Sequence, residues 1–387
     1  MEKLRPIILI WTSDREALIT DIKSKLQILL GDQPVEAEML PYTFFKDGSP
    51  DMQLEESVRG KHVYIVSDVY SDAANNAGYV PSINDRYFWS RCLQRTAQVF
   101  GAKTANVIYP TFPYARDDKF DNMGTKEHMK RKPNAASMVI ADCITQNIDQ
   151  VITQDIHNLA TISVPHMSGL RTKFVSLAYG RTIEEVIKRA DLNLSNTILS
   201  WTDEGALKKI VAVCKDLKLD NLTTMKKKDY SKSQAVDEIL VYGDAEDKDV
   251  LLYDDMLDTG GTLLACLDKI QAKKPRSVNL LITHALFNGT SLEQLLEAHK
   301  KGLFTKLYIT NAVMRTHLDE FFAKHNYPSF IETIDLSTVF AHTISSIAQE
   351  KDINYNNNGP IVAPEKKPRW RLSTFFLKLS ELFKEAA

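Results

Sequence analysis

The stretch Val250-Leu-Leu-Tyr-Asp-Asp-Met-Leu-Asp-Thr-Gly-Gly-Thr262 decides how this chain is read. Its first residues, Val250–Tyr253, predict a buried strand that ends in two adjacent carboxylates, Asp254 and Asp255. A third, Asp258, opens a Thr-Gly-Gly-Thr turn, after which the apolar spacing over Gly260–Ala272 becomes helical. Ligands of open α/β sheets sit outside the carboxyl ends of the strands. Gly260 and Gly261 let backbone N–H groups approach a phosphate, Thr259 and Thr262 add hydroxyl donors, and the helix N-terminus favours negative charge. Carboxylates would repel that phosphate. Asp254, Asp255 and Asp258 therefore read as acceptors for sugar hydroxyls or for the waters of a bound Mg²⁺.

The same strand-and-helix grammar extends in both directions. Short apolar runs rich in β-branched residues recur at Ile7–Trp11, Val63–Val66, Val107–Pro110, Val151–Thr153, Thr197–Trp201, Val278–Thr283 and Leu307–Thr310. Segments of helical period such as Arg86–Phe100 separate them. That alternation predicts an α/β protein of mainly parallel sheets with helices on both faces. At 387 residues the chain is long for one core and comfortable for two. The pattern restarts near 165–180, so the expected division is 1–168 and 169–335. Residues 351–368, polar with an Asn cluster, predict a linker. Beyond it Leu372, Phe375, Phe376, Leu379, Leu382 and Phe383 fall on one stripe of an amphipathic helix over 369–387. Such a helix is expected to dock on its own domain or on another subunit.

Composition narrows the function classes. The apolar fraction is 44%, the charged fraction 25% and the net charge −2, so no global field draws the chain to nucleic acid or anionic lipid. Cys92, Cys143, Cys214 and Cys266 are far apart and form no CxxC pair, which argues against a disulfide framework or structural zinc. Neither a signal-peptide pattern nor an apolar run near the ~18 residues of a bilayer span is present. A cytoplasmic protein is expected.

The first half carries the decisive company for the 250–262 turn. Asn106-Val-Ile-Tyr-Pro-Thr-Phe-Pro-Tyr-Ala-Arg-Asp-Asp-Lys119 resembles the strand and ATP loop of ribose-phosphate pyrophosphokinases. Val151-Ile-Thr-Gln-Asp-Ile-His157 resembles that family's strand ending in Asp-Leu-His, and Phe45-Lys-Asp47-Gly48 with Glu56-Ser-Val-Arg-Gly60 resembles another of its stretches. Leu199-Ser-Trp-Thr-Asp203-Glu-Gly205 and Leu336–Ile347 follow in order, so the resemblance covers roughly 3–350. It implies two type I phosphoribosyltransferase-like domains, with 336–350 joining the first. It also implies Mg²⁺-dependent transfer of diphosphate from ATP to the 1-hydroxyl of ribose 5-phosphate, with AMP leaving, in a homo-oligomer of dimers or higher.

The resemblance also distributes roles. Phe45, Asp47, Arg116, Asp117, Asp118, Lys119, Arg131 and His157 are expected to hold ATP, and His157, Asp155 and Asp203 to stand near metal. Asp203, Asp254, Asp255, Asp258, Thr259, Gly260, Gly261 and Thr262 are expected on the ribose phosphate. Met225-Lys-Lys-Lys-Asp-Tyr-Ser-Lys232 stands where the family has a mobile catalytic loop, so Lys226 and Lys228 join Arg116 and His157 as catalytic candidates. Three positions depart from the pattern. Ser49 replaces a glutamate, Asp117 a glutamine, and Lys228 an arginine, keeping the charge but losing the bidentate fork. All three lie on the ATP side or near the reacting centre. They leave open a larger acceptor such as ADP-ribose, or a non-catalytic partner subunit; a phosphoribosyltransferase would leave the ATP-like stretches unexplained.

Overall fold

The computed structural model describes residues 5–11, 15–40, 43–74, 78–117, 134–162, 171–177, 179–202, 207–228 and 237–351. Two sheets organise them. The first has six parallel strands: β1 (Ile7–Trp11), β2 (Val35–Met39), β5 (His62–Val66), β6 (Thr104–Tyr109), β7 (Gln150–Gln154) and β8 (Lys173–Leu177). Their order is β2-β1-β5-β6-β7-β8. A small hairpin, β3 (Thr43–Phe44) with β4 (Pro50–Asp51), stands apart.

The second sheet contains β9 (Thr197–Trp201), β10 (Asp220–Lys228), β11 (Asp237–Tyr242), β12 (Asp249–Leu257), β13 (Ser277–Ala285), β14 (Lys306–Thr310) and β15 (Ile331–Ile334). It runs β11-β10-β9-β12-β13-β14-β15, parallel except where edge strand β11 pairs antiparallel with β10. Parallel strands buried on both faces read as continuous apolar runs. β9 is buried at every position, and its predicted bounds coincide with the observed ones.

Each sheet is covered on both faces. On one side of the first, Ile7, Leu9, Val175 and Leu177 pack against Leu18, Ile22 and Leu26 of the helix Glu16–Leu30. Leu336, with Phe340 and Ile344 of the helix Ser337–Ala348 that it precedes, completes that same layer, although they follow the whole second sheet in sequence. Each of these buried side chains contributes about 1.5–3 kcal/mol of transfer free energy. The opposite face carries Leu93 and Ala97 of the helix Ile83–Val99 and Val139 of the helix Ala135–Thr145. Ser82 starts the first of these helices with a capping box to Asp85.

Because β8 hydrogen-bonds along its length to β7, the changeover between sheets falls after Leu177 and not at 169 as the sequence pattern suggested. The expected linker beyond Lys351 and the expected C-terminal helix lie outside the described residues. Among the described residues no helix is long and apolar enough to cross a membrane.

The two sheet systems are bolted together beside β14. Met314 N–H donates to Asp68 Oδ2 at 2.7 Å, and Arg315 donates to Tyr70 O at 2.8 Å and to Ala285 O at 2.9 Å. Thr316 N–H donates to Asp72 Oδ1 at 2.9 Å. Buried Arg15 pairs with Asp68 at 3.5 Å and also reaches the Ala312 carbonyl at 3.4 Å. Met256, at the end of β12, packs into the core of the first sheet system. The consequence is that the carboxyl ends of β6 and β7 meet those of β12 and β13.

Candidate active site

The strand that carries the acids is longer than its apolar run. β12 continues to Leu257, pairing Asp254 with Ile282 and Met256 with His284 on β13, whereas its pairing with β9 ends at Tyr253–Trp201. Asp254 and Asp255 are therefore strand residues beyond the last described pairing with β9. Their charge broke the apolar pattern and hid the true end of the strand.

The turn that follows is shaped by one glycine. Gly260 caps the helix Gly261–Gln271 with a left-handed backbone, φ 81°. A Cβ there would meet Leu257 and Ser291 at 3.7 Å, ordinary contact distance, so conformation and not crowding demands glycine. Around Gly261 a Cβ would find no heavy atom within 4 Å, which leaves the helix N-terminus open to approach. No side chain caps that end by a hydrogen bond. Thr259 is exposed and Thr262 half-buried beside it. Asp258 Oδ1 accepts from Asn288 Nδ2 at 2.6 Å, and Asp258 O from Asn288 N–H at 3.0 Å, fixing the turn to the segment after β13.

Two contacts cross from this turn to the first domain. Arg116, after β6, forms an ion pair with Asp258. His157, after β7, places Nδ1 2.7 Å from Asp255 Oδ2. The structure thus joins Arg116 and His157 of the first domain to Asp258 and Asp255 of the 254–262 stretch.

Asp155, expected near metal, is placed differently. It is 2% exposed, and its Oδ2 accepts the hydroxyls of Tyr253 and of Thr283, the latter at 3.0 Å. Its carbonyl accepts from His284 Nε2 at 3.1 Å. Burial pushes the Tyr253 hydroxyl well above its ordinary pKa, with the Asp155 carboxylate adding to the effect, so Tyr253 stays a donor. Asp155 is an internal acceptor, shielded from the open cleft.

Other expected residues lie apart. Asp117 turns its carboxylate to the start of a helix, Oδ2 accepting from Ala135 N–H at 3.1 Å. Phe45 and Asp47 stand on the β3–β4 hairpin, where Asp47 Oδ1 accepts Ser49 N–H at 2.9 Å and Ser49 Oγ at 2.6 Å. Those two bonds lower the Asp47 pKa, and Phe45 is 55% exposed. Lys226 and Lys228, expected in a loop, lie on the backbone of β10 opposite Ile239 and Asp237. Asp118, Lys119, Arg131 and Asp203 lie outside the described residues. Sequence reasoning missed Tyr253, Thr283, His284 and Asn288; a lone histidine inside an apolar strand carries no motif.

Comparison with known proteins bears on this arrangement. The sequence model of the N-terminal domain of ribose phosphate pyrophosphokinase matches residues 7–145, and that of the phosphoribosyl transferase domain matches 206–320. Together the two matches span more than half of the chain. It belongs to the ribose-phosphate pyrophosphokinase family. Among relatives in that family, the ribose-phosphate pyrophosphokinase of Mycoplasma pneumoniae is 27% identical over 340 residues, covering 87% of this chain and 91% of its own. That of Campylobacter jejuni is 27% identical over 310 residues, covering 80% and 88%. The crystal structure of phosphoribosylpyrophosphate synthetase from Mycobacterium smegmatis superposes with a TM-score of 0.69 at 17% identity, over 89% of this chain and all of that one. The likeness to that structure is one of fold: two helix-flanked, mainly parallel sheets in the same arrangement.

Proposed function

We propose that this pyrophosphokinase-family chain transfers the β,γ-diphosphate of ATP to the 1-hydroxyl of ribose 5-phosphate, giving phosphoribosyl diphosphate and AMP. The observation that carries the reading is the cleft in which Arg116 and His157 of one domain meet Asp258 and Asp255 of the other. A diphosphate can pass directly only between substrates held on facing walls.

Diphosphate transfer asks the protein mainly for alignment and charge neutralisation. The open N-terminus around Gly260–Thr262 suits the 5-phosphate, and Asp254, Asp255 and Asp258 suit the ribose hydroxyls. Arg116 is 61% exposed on its side chain, long enough and free enough in rotation to exchange Asp258 for an ATP phosphate. Lys226 and Lys228, in the stretch that resembles the family's catalytic loop, are the candidates to supply charge to the reacting diphosphate.

Mg²⁺ is the cofactor this chemistry calls for. Among the described residues no three His, Cys, Asp or Glu side chains form a cage. Mg²⁺ usually takes only one or two carboxylates together with water and substrate phosphates, so half-buried Asp254 and Asp255 beside His157 fit it, with Asp203 a further candidate. When bound, the ion would neutralise phosphate charge. Asp155, enclosed by its hydroxyl donors, is reassigned away from the ion.

The test is AMP release from Mg²⁺-ATP with ribose 5-phosphate and, separately, ADP-ribose. Turnover with ribose 5-phosphate is expected; turnover with ADP-ribose alone would move the acceptor, and none with any ribose phosphate would overturn the reading. The family's precedent also supports a homo-oligomer, read from sedimentation of the purified chain.

A further inference from the structure

Asp155 is a buried carboxylate beside this junction whose backbone is held in the left-handed region, φ 39°. For a residue with a Cβ that conformation is strained and persists only where the surroundings over-determine it. They do. Asp155 N–H donates to Leu177 O at 2.8 Å, and the following amide, Ile156 N–H, donates to Ser176 Oγ at 3.1 Å. Further contacts to Asp155 come from the other domain: the Tyr253 hydroxyl from β12, and the Thr283 hydroxyl and His284 ring from β13.

His284 is the centre of this arrangement. A carbonyl oxygen can only accept, so Nε2 carries the proton toward Asp155 O, while Nδ1 hydrogen-bonds Thr111 Oγ1 at 2.7 Å. The ring is 2% exposed. Thr111 precedes Arg116 on the segment leaving β6, and Asp155 precedes His157 on the segment leaving β7. A single buried side chain of the ribose-side domain therefore touches the roots of both ATP-side segments.

The spacing links that clamp to the cleft. Tyr253 grips Asp155, and two residues further along each segment Asp255 meets His157. Any displacement of Asp155 is passed to His157 through a single intervening residue. Buried polar networks whose partners are satisfied fix one arrangement where apolar packing would tolerate several.

We propose that His284, with Tyr253 and Thr283, is a positioning residue for diphosphate transfer: the three lock Asp155 in its left-handed turn and so set His157 against Asp255. The proposal rests on the activity argued above, and its test separates the two. In the full chain, His284→Ala is expected to lower kcat about 10–100-fold, the usual effect of removing a residue that orients a site, while the KM for ribose 5-phosphate changes little. His284→Gln, which keeps an N–H donor, is expected to recover most of the turnover. The double variant Tyr253→Phe with Thr283→Val tests the same clamp if His284→Ala does not fold. Wild-type turnover in both clamp variants would overturn the proposal, as would a loss that follows thermal stability and is not rescued by glutamine. If the wild-type chain releases no AMP, the activity reading fails, and hydrogen exchange decides the clamp instead. His284→Ala should then speed exchange at the amides of Asp155–Asn158 and His284→Gln should restore it; unchanged rates would overturn the clamp.

Discussion

His157 and Asp255 face each other from different domains, imidazole Nδ1 2.7 Å from carboxylate Oδ2. A carboxylate beside a histidine fixes the ring's orientation and which nitrogen carries the proton. Asp255→Asn keeps the shape but removes the charge. Turnover measured as AMP release should fall about 10–100-fold, with thermal stability close to that of the wild type.

Asp258 holds Arg116 on one side and Asn288 on the other. In Asp258→Ala the sugar loses a charged acceptor, a hydrogen bond of about 1.5–3 kcal/mol, or roughly 10–150-fold in affinity. Titration with ribose 5-phosphate should show that weakening, while ATP affinity is retained or rises because Arg116 is released. Equal loss of both ligands would count against separate walls for sugar and nucleotide.

The paired glycines should respond in opposite ways. Gly260 has φ 81°, so Gly260→Ala forces a side chain into the left-handed region and should destabilise the fold by about 1–2 kcal/mol in denaturant unfolding. Gly261 begins the helix with open space around it. Gly261→Ala should leave unfolding unchanged or slightly improved, but raise the KM for ribose 5-phosphate if the phosphate docks at this helix start as proposed.

Removal of divalent cations supplies a separate check. Excess EDTA should abolish AMP release, and Mg²⁺ returned in excess should restore it. Turnover that persists under the chelator would remove the ion from the mechanism.

The join between the final helix and the first sheet carries a pH signature. Burial opposes ionisation of Asp335, but its bonds from Ser337, Lys25 and Asn311 prevail and lower its pKa to about 2. The folded value lies below the unfolded one, about 3.9, so this contribution to stability is complete above that pH and is lost as pH falls toward about 2. Unfolding free energies of wild type and Asp335→Asn should therefore differ near neutrality and converge across that acid window. A constant difference would show that the carboxylate charge is not what holds the join.

What the sequence disclosed follows from burial. Strands enclosed on both faces, such as Thr197–Trp201, announce themselves as unbroken apolar runs. The edge strand Val35–Met39 alternates with Glu36 and Glu38 and gives no such run. β8, Lys-Phe-Val-Ser-Leu, was passed over for a similar reason, which misplaced the domain changeover. The strand-to-helix turn at 258–261 was legible because glycine, threonine and aspartate each have a local reason to be there. Asp155 was not, since an acid two residues before a histidine reads as a ligand until the hydroxyls that enclose it from another strand are seen. His284 could be recognised only from its contacts.

Placement of Leu336, Phe340 and Ile344 in the core of the first sheet has a consequence for biogenesis. As the chain leaves the ribosome, the first half is made with the helix Glu16–Leu30 on this face, but the layer stays incomplete until some 160 further residues have followed. The part that Phe340 and Ile344 will cover is exposed for that interval, a target for chaperones, and the second half must fold while tethered to an unfinished neighbour. Nascent chains arrested before Ser337 should be protease-sensitive in their earliest-made portion, and release of the helix Ser337–Ala348 should complete this layer.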